Sequence, residues 1–128
     1  MPGTTALKVI DASALAALVF DEPEGDEITE RIRNCELVAP TLLSFEMANV
    51  CWVKIRRDPN KREALLAAYG MPGIAVQTLD VDHQAVVNLA LQTGLTPYDA
   101  SYLWLARDLA IELITLDRRL ASVAETPT

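Results

Sequence analysis

The chain has 128 residues, 51% of them hydrophobic and 23% charged, the composition of one compact domain with room for a core rather than of a disordered chain. Two cysteines, Cys35 and Cys51, and a single histidine, His83, are too few and too scattered for a structural zinc site, and they fit a reduced, cytoplasmic setting without disulfides. The net charge of −7 argues against a protein that coats nucleic acid through a broad basic face, while leaving open one that meets phosphate through bound metal ions.

No basic segment followed by a long apolar one opens the chain, so no signal peptide is expected. Leu7 to Asp11 reads as a short apolar strand ending on Asp11, after which Ala12 and Ser13 turn the chain into helix Ala14 to Phe20. That apolar run is far shorter than the roughly 20 residues of a membrane span, so it is expected in a core. Residues 21–25, Asp-Glu-Pro-Glu-Gly, break it, and Asp26 to Asn34 reads as a mostly solvated helix built around Ile28 and Ile32.

Leu37 to Ala39 reads as a second strand stopped by Pro40, with Thr41 capping a long helix to about Arg57. On that helix Leu42, Leu43, Glu46, Asn49, Val50 and Val53 share a face by three-and-four spacing, so Glu46 and Asn49 interrupt an apolar stripe. Lys54, Arg56 and Arg57 close it with positive charge, favourable against its dipole. Together with Lys61 and Arg62 they read first as a solvated face and second as a path for a nucleic-acid backbone.

Asn60 is expected to cap helix Lys61 to Tyr69, and residues 70–73 form a loop before strand Ile74 to Leu79. Asp82 caps helix His83 to Thr93, which Gly94 terminates. Thr96 and Pro97 open a helix to Leu109 whose unbroken block Tyr102 to Ala106 requires burial on most faces. Strand Ile111 to Leu116 ends on Asp117, and a short helix starts at Arg118. Trp52, Tyr102 and Trp104 read as core, His83 and Tyr98 as surface. Alternating strands and helices with short connections predict a single α/β domain over residues 1–128, with a parallel sheet covered on both faces.

Four acids stand out, and each alone has a local explanation. Asp11 and Asp117 sit where they would cap the following helices, each worth about 1 kcal/mol. Thr96 and Asp99 form a variant of the capping box, and Glu46 would reach past its neighbours to water. Taken together the local explanations weaken. Three of the acids lie at strand ends or helix starts, on the side of an open α/β sheet where ligands bind, and the fourth lies on an apolar helix face. Two carboxylates about 4 Å apart repel by roughly 4 kcal/mol at an effective dielectric near 20, so their convergence calls for a cation. All-oxygen ligands select Mg²⁺ or Mn²⁺. Ser13 most simply caps or orients Asp11, since a serine nucleophile would want a histidine that is absent nearby.

The ordered motifs V-I-D-A-S-A-L near the start, P-x-x-x-x-x-E from Pro40 to Glu46, T-P-Y-D-A-S-Y-L-x-L-A from Thr96 to Ala106, and L-I-T-L-D-R-R-L near the end resemble a PIN domain. More narrowly, they resemble the VapC-type toxins of type II toxin–antitoxin pairs. The resemblance covers nearly the whole chain. It implies a three-layer α/β/α sandwich with a short parallel sheet and a metal-dependent endoribonuclease using Mg²⁺ or Mn²⁺. It further implies RNA as substrate, a homodimer, and a small cognate antitoxin that occludes the site. Asp11, Glu46, Asp99 and Asp117 match the family's four acids, Ser13 and Thr115 its small hydroxyl positions, and Asn49 is an added supporting candidate. The rival expectations are a catalytically silent PIN-fold binding module and a phosphoacceptor signalling module. The latter wants an early acid pair and a late lysine that the sequence does not clearly supply.

Overall fold

The computed structural model describes residues 5–71 and 73–126. Pro72 of the expected 70–73 loop and both ends of the expected 1–128 domain lie outside them. The elements run β1 (Ala6–Ile10), α1 (Ala12–Val19), α2 (Gly25–Arg31), β2 (Cys35–Pro40), α3 (Leu43–Arg57), a 3₁₀ turn (Pro59–Lys61), α4 (Arg62–Gly70), β3 (Val76–Leu79), α5 (His83–Thr93), α6 (Pro97–Leu109), β4 (Leu113–Ile114) and α7 (Arg118–Glu125). Among the described residues no helix is long and apolar enough to cross a membrane.

All four strands are parallel, in the order β3-β2-β1-β4. From β1 to β2 to β3 the chain steps across the sheet in one direction, whereas from β3 to β4 it returns past β2 and β1. Right-handed crossovers then put α1 to α4 on one face and α5 with α6 on the other. The packing agrees: α1 lies against α2 and α3, α3 against α4, and α6 against α5, α7, β1 and β2. The result is the expected three-layer α/β/α arrangement. Its strand order reverses between β1 and β4, and in open parallel sheets the crevice beyond the strand ends at such a point is where ligands bind.

The core lies between the layers. Val9, Ile10, Ala39 and Ile114 from the sheet, Ala14 from α1, and Ala100, Tyr102 and Leu103 from α6 are all at most 2% exposed. The block Tyr102 to Ala106 is buried apart from Trp104, which is half-buried, because α6 packs against the sheet on one side and α5 and α7 on others. Asp82 and Gly94 bound α5 as expected: the Asp82 carboxylate accepts from the Ala85 N–H at 3.0 Å, and Gly94 closes the helix in the left-handed region with φ 77°, where glycine is least strained.

Several expectations are corrected. On α3 the buried residues are Leu43, Met47 and Cys51, a four-residue spacing displaced from the expected stripe, so Asn49 is exposed while Glu46, Val50 and Val53 are half-buried. One residue past Cys51 turns the helix by about 100°, which is why Trp52 is 55% exposed under the Arg56 guanidinium rather than in the core. Thr41 does not cap α3, whose cap position is Leu42 without a side-chain bond; its N–H is taken by the Leu79 carbonyl. Asn60 sits inside the 3₁₀ turn and does not cap α4. Strand β4 is only two residues long because its flanks are used elsewhere: the Ile111 N–H closes α6 on the Ala106 carbonyl, and the Leu116 N–H is turned onto Ser13.

Candidate active site

Strands β1 and β4 are neighbours, so the residues that follow them emerge side by side. Asp11 follows β1 and Asp117 follows β4 across the Thr115–Leu116 turn. The Asp11 carboxylate is 5% exposed and held on both oxygens. Its Oδ1 accepts from the Ala14 N–H at 3.0 Å and from the Ser13 hydroxyl at 2.7 Å, and its Oδ2 accepts from the Thr115 hydroxyl. Ser13 and Thr115 in turn accept from the N–H groups of Leu116, at 2.9 Å, and Asp117, at 3.0 Å. Two small hydroxyls thus lace the β1–α1 junction to the β4–α7 junction.

The local capping explanations are met at Asp11 and Asp117 and only half met at Thr96–Asp99, and they do not use up the carboxylates. Asp11 is the N-cap of α1 and Asp117 of α7, the latter accepting from the Leu120 N–H at 2.9 Å through Oδ1. The Thr96 hydroxyl accepts from the Asp99 N–H at 3.2 Å, but no return bond from the Asp99 carboxylate to Thr96 forms among the described residues. Each ionised oxygen has two acceptor positions, so the outer lone pairs remain available at Asp11 Oδ2 and Asp117 Oδ2.

Glu46 enters from the first turn of α3 and Asp99 from the first turn of α6. The acids feel one another. Burial is the main cause that raises Asp11, Glu46 and Asp99 above ordinary carboxyl values, and neighbouring charge adds to it: Asp117 acts on Asp11, Asp99 and Asp11 on Glu46, and Asp117 and Asp11 on Asp99. Arg119 opposes the rise at Asp99, and it donates to the Gly94 carbonyl at 2.6 Å, pinning the loop that leads into α6. Charge effects thus link Asp11 with Glu46, Asp99 and Asp117, and Asp99 with Glu46 and Asp117, although the four come from four separate segments; a cation would relieve that repulsion.

Their donor chemistry suits a hard divalent ion, being all oxygen; His83 is exposed, as expected, on α5. Among the described residues no group of three or more His, Cys, Asp or Glu side chains is placed to hold a metal ion. The sequence did not single out Tyr102 as part of the site. It is 1% exposed, as expected of a core residue, yet its hydroxyl donates to Glu46 Oε1 at 2.6 Å. Its three-residue spacing from Asp99, which puts both on one helix face, is a signal that could have found it. Asn49 lies one turn beyond Glu46 on exposed surface and joins none of the carboxylate bonds described above.

The PIN domain family model matches residues 8–126. Ribonuclease VapC3 of Pyrobaculum aerophilum is 34% identical over 119 residues, spanning 88% of this chain and 91% of the relative. Ribonuclease VapC12 of Mycobacterium tuberculosis is 27% identical over 114 residues, 88% of each chain. The crystal structure of PAE2754 from Pyrobaculum aerophilum is similar with a TM-score of 0.66 at 25% identity, covering 95% of this chain and 89% of that one.

Proposed function

The chain belongs to the PIN domain family, in its VapC branch, and from that membership we propose that it is a metal-dependent endoribonuclease toxin, a single domain over residues 1–128. Asp11, Glu46, Asp99 and Asp117 would hold one or two Mg²⁺ or Mn²⁺ ions. The observation that supports this reading is that the nearly inaccessible Asp11 feels the charge of Asp117 and in turn acts on Glu46 and Asp99.

An ion held by these acids would supply an activated water and neutralise charge on the phosphate. The chain's own residues do the positioning. Ser13 and Thr115 fix the plane of the Asp11 carboxylate, which keeps a free acceptor position on Oδ2 for the ion. Tyr102 fixes one oxygen of Glu46 and leaves the other free to orient a water or a second ion. Asp99 and Asp117, more exposed than Asp11, present oxygens from the starts of α6 and α7. Cleavage leaves a 3′-hydroxyl and a 5′-phosphate.

The partners follow the family: an RNA substrate, a cognate antitoxin that covers the crevice, and a second copy in a homodimer, all within the cytoplasm. Incubating the purified chain with RNA, with and without Mg²⁺ or Mn²⁺, tests the reading. Cleavage should need metal and vanish in Asp11→Asn; cutting that persists in this variant with chelator present would end it.

A further inference from the structure

The start of α7 is tied to its two neighbours in different ways. Ser13 and Thr115 lace it to the start of α1, so Asp117 and Asp11 are joined through short side chains. No such lacing joins Asp117 to Asp99 among the described residues. There the one hydrogen bond between α7 and residues 93–99 runs from the Arg119 guanidinium to the Gly94 carbonyl, at 2.6 Å. Both of its ends are firmly placed. Gly94 ends α5 with its N–H on the Ala90 carbonyl, the Leu95 N–H meets the Thr93 hydroxyl at 3.3 Å, and Thr96 caps α6 by accepting from the Asp99 N–H. Arg119 stands in the first turn of α7, two residues past Asp117, whose carboxylate caps that turn at the Leu120 N–H. Gly94 and Arg119 are each followed by a buried leucine, Leu95 and Leu120, of the same core cluster. A Cβ at residue 94 would stand 3.1 Å from Arg119 Nη2, so it is bare backbone that the guanidinium reaches.

The charge of Arg119 and its bond act in opposite senses on an ion held by the acids. A guanidinium is always charged, and this one is near enough to act on Asp99, so its charge alone would repel a divalent cation bound there. The bond does the reverse. It fixes the start of α6, which carries Asp99, against the start of α7, which carries Asp117, and outer partners that hold ligands in place add to metal affinity.

We propose that Arg119 is a positioning residue for the metal: through the Gly94 carbonyl it sets the spacing between Asp117 and Asp99, the pair that Ser13 and Thr115 leave unjoined. This deepens the ribonuclease reading and rests on it. With the clasp in place, an ion meets two acids whose helix starts are already fixed to one another; without it, binding has to order them first.

Mn²⁺ binding to the purified chain, read without RNA from the loss of the free-ion signal in electron paramagnetic resonance, tests this. Arg119→Ala, on an exposed side chain, should weaken Mn²⁺ binding about tenfold or more. Arg119→Lys should restore most of the affinity, because a single bond to a carbonyl does not need the planar fork. Arg107→Ala is the control: Arg107 ties the other end of α7, donating to the Thr126 carbonyl at 3.3 Å, and its loss should leave Mn²⁺ affinity unchanged. In cleavage, Arg119→Ala should raise the Mg²⁺ concentration that gives half the maximal rate and largely keep the rate at saturating Mg²⁺. Mn²⁺ binding that is unchanged or tighter in Arg119→Ala, the outcome of charge alone, overturns the proposal and leaves the nuclease standing. So does a loss that lysine does not restore, or an equal loss in Arg107→Ala. Absence of both Mn²⁺ binding and metal-dependent cleavage in the unaltered chain overturns the nuclease reading and the proposal with it.

Discussion

The Tyr102 hydroxyl donates a 2.6 Å hydrogen bond to Glu46 Oε1 from a residue 56 positions away in sequence. It joins α6, which packs against the sheet, to the acid that α3 contributes. A buried phenol meeting a carboxylate has a definite electrostatic sense: burial and the nearby Glu46 push the Tyr102 hydroxyl well above its ordinary value, so it stays a donor, and its bond works against the burial that raises Glu46.

Tyr102→Phe keeps the ring and deletes the donor. Glu46 should then titrate higher still, so the acid limb of the pH–activity profile moves toward neutrality. A hydrogen bond to a charged group is worth about 1.5–3 kcal/mol, so kcat at mildly acidic pH should fall roughly tenfold or more, with KM little changed and the loss shrinking as pH rises. Rates measured from pH 5.5 to 8.5 check this. A loss independent of pH would mean that Tyr102 merely fills space.

Asp11 separates the cap from the site. Asparagine is as good an N-cap as aspartate, and its side-chain oxygen can keep the Ala14 N–H, while the Thr115 hydroxyl can turn to accept. Asp11→Asn should therefore abolish cleavage while raising metal-free stability by about 1 kcal/mol through removal of a buried charge. Asp11→Ala should also abolish cleavage but lower stability by about 1–2 kcal/mol through the lost cap. Paired thermal melts in chelator decide it: equal losses for both variants would make Asp11 a structural cap and nothing more.

The strand-end acids were legible in the sequence because the features that place them are local. Asp11 and Asp117 close apolar strands and start helices, and Thr96-Pro97 marks the opening of the helix that bears Asp99, so chain order and a parallel sheet were enough to bring them to one edge. What escaped was what depends on rotation about a helix. Glu46 was read on an apolar stripe that the structure displaces toward Leu43, Met47 and Cys51, and the same shift carries Trp52 and Asn49 to the surface. Thr41 and Asn60 are good capping residues placed next to the wrong turns, since local propensity is weaker than the backbone geometry set by β2 and the 3₁₀ turn. The bond between Tyr102 and Glu46 is a tertiary contact with no counterpart in spacing along the chain.

The metal-free protein should be more stable in mild acid than at neutrality. Asp11, Glu46 and Asp99 titrate above their ordinary values in the fold, chiefly through burial and then through one another's charge, so the folded chain binds protons more tightly than the unfolded chain. Stability from these groups is full below the unfolded value, about 4, and is lost as pH rises through the raised folded values. Glu112 runs the other way, because the Arg31 and Lys8 hydrogen bonds outweigh its partial burial and hold it low; its contribution is lost only as pH falls below the ordinary glutamate range. Melts in chelator should thus give a higher Tm at pH 5 than at pH 7.5. Mg²⁺ at about a hundred times its Kd should add about 2.7 kcal/mol at the higher pH and remove the slope, since the ion binds the ionised carboxylates. A flat metal-free profile would show that the acids do not share one field.

The end of α6 offers a stability test away from the chemistry. Ala110 caps it at φ 54° in the left-handed region, where its N–H meets the carbonyls of Ala106 and Arg107 and the next N–H returns to Ala106. An L residue with a Cβ costs about 1–2 kcal/mol there, whereas glycine carries no such strain but loses more freedom on folding, by roughly 0.5–1 kcal/mol. The first effect is the larger, and Ala110 is exposed, so no packing is lost with the methyl. Ala110→Gly should raise stability by about 0.5–1 kcal/mol, a few degrees in Tm for a chain of this size, with metal-dependent cleavage unchanged. Because Ile111 to Ile114 must leave this cap at the right angle to enter the sheet beside β1, a variant that melts lower would mean that the methyl, not the backbone, holds the turn that delivers Asp117 to the crevice.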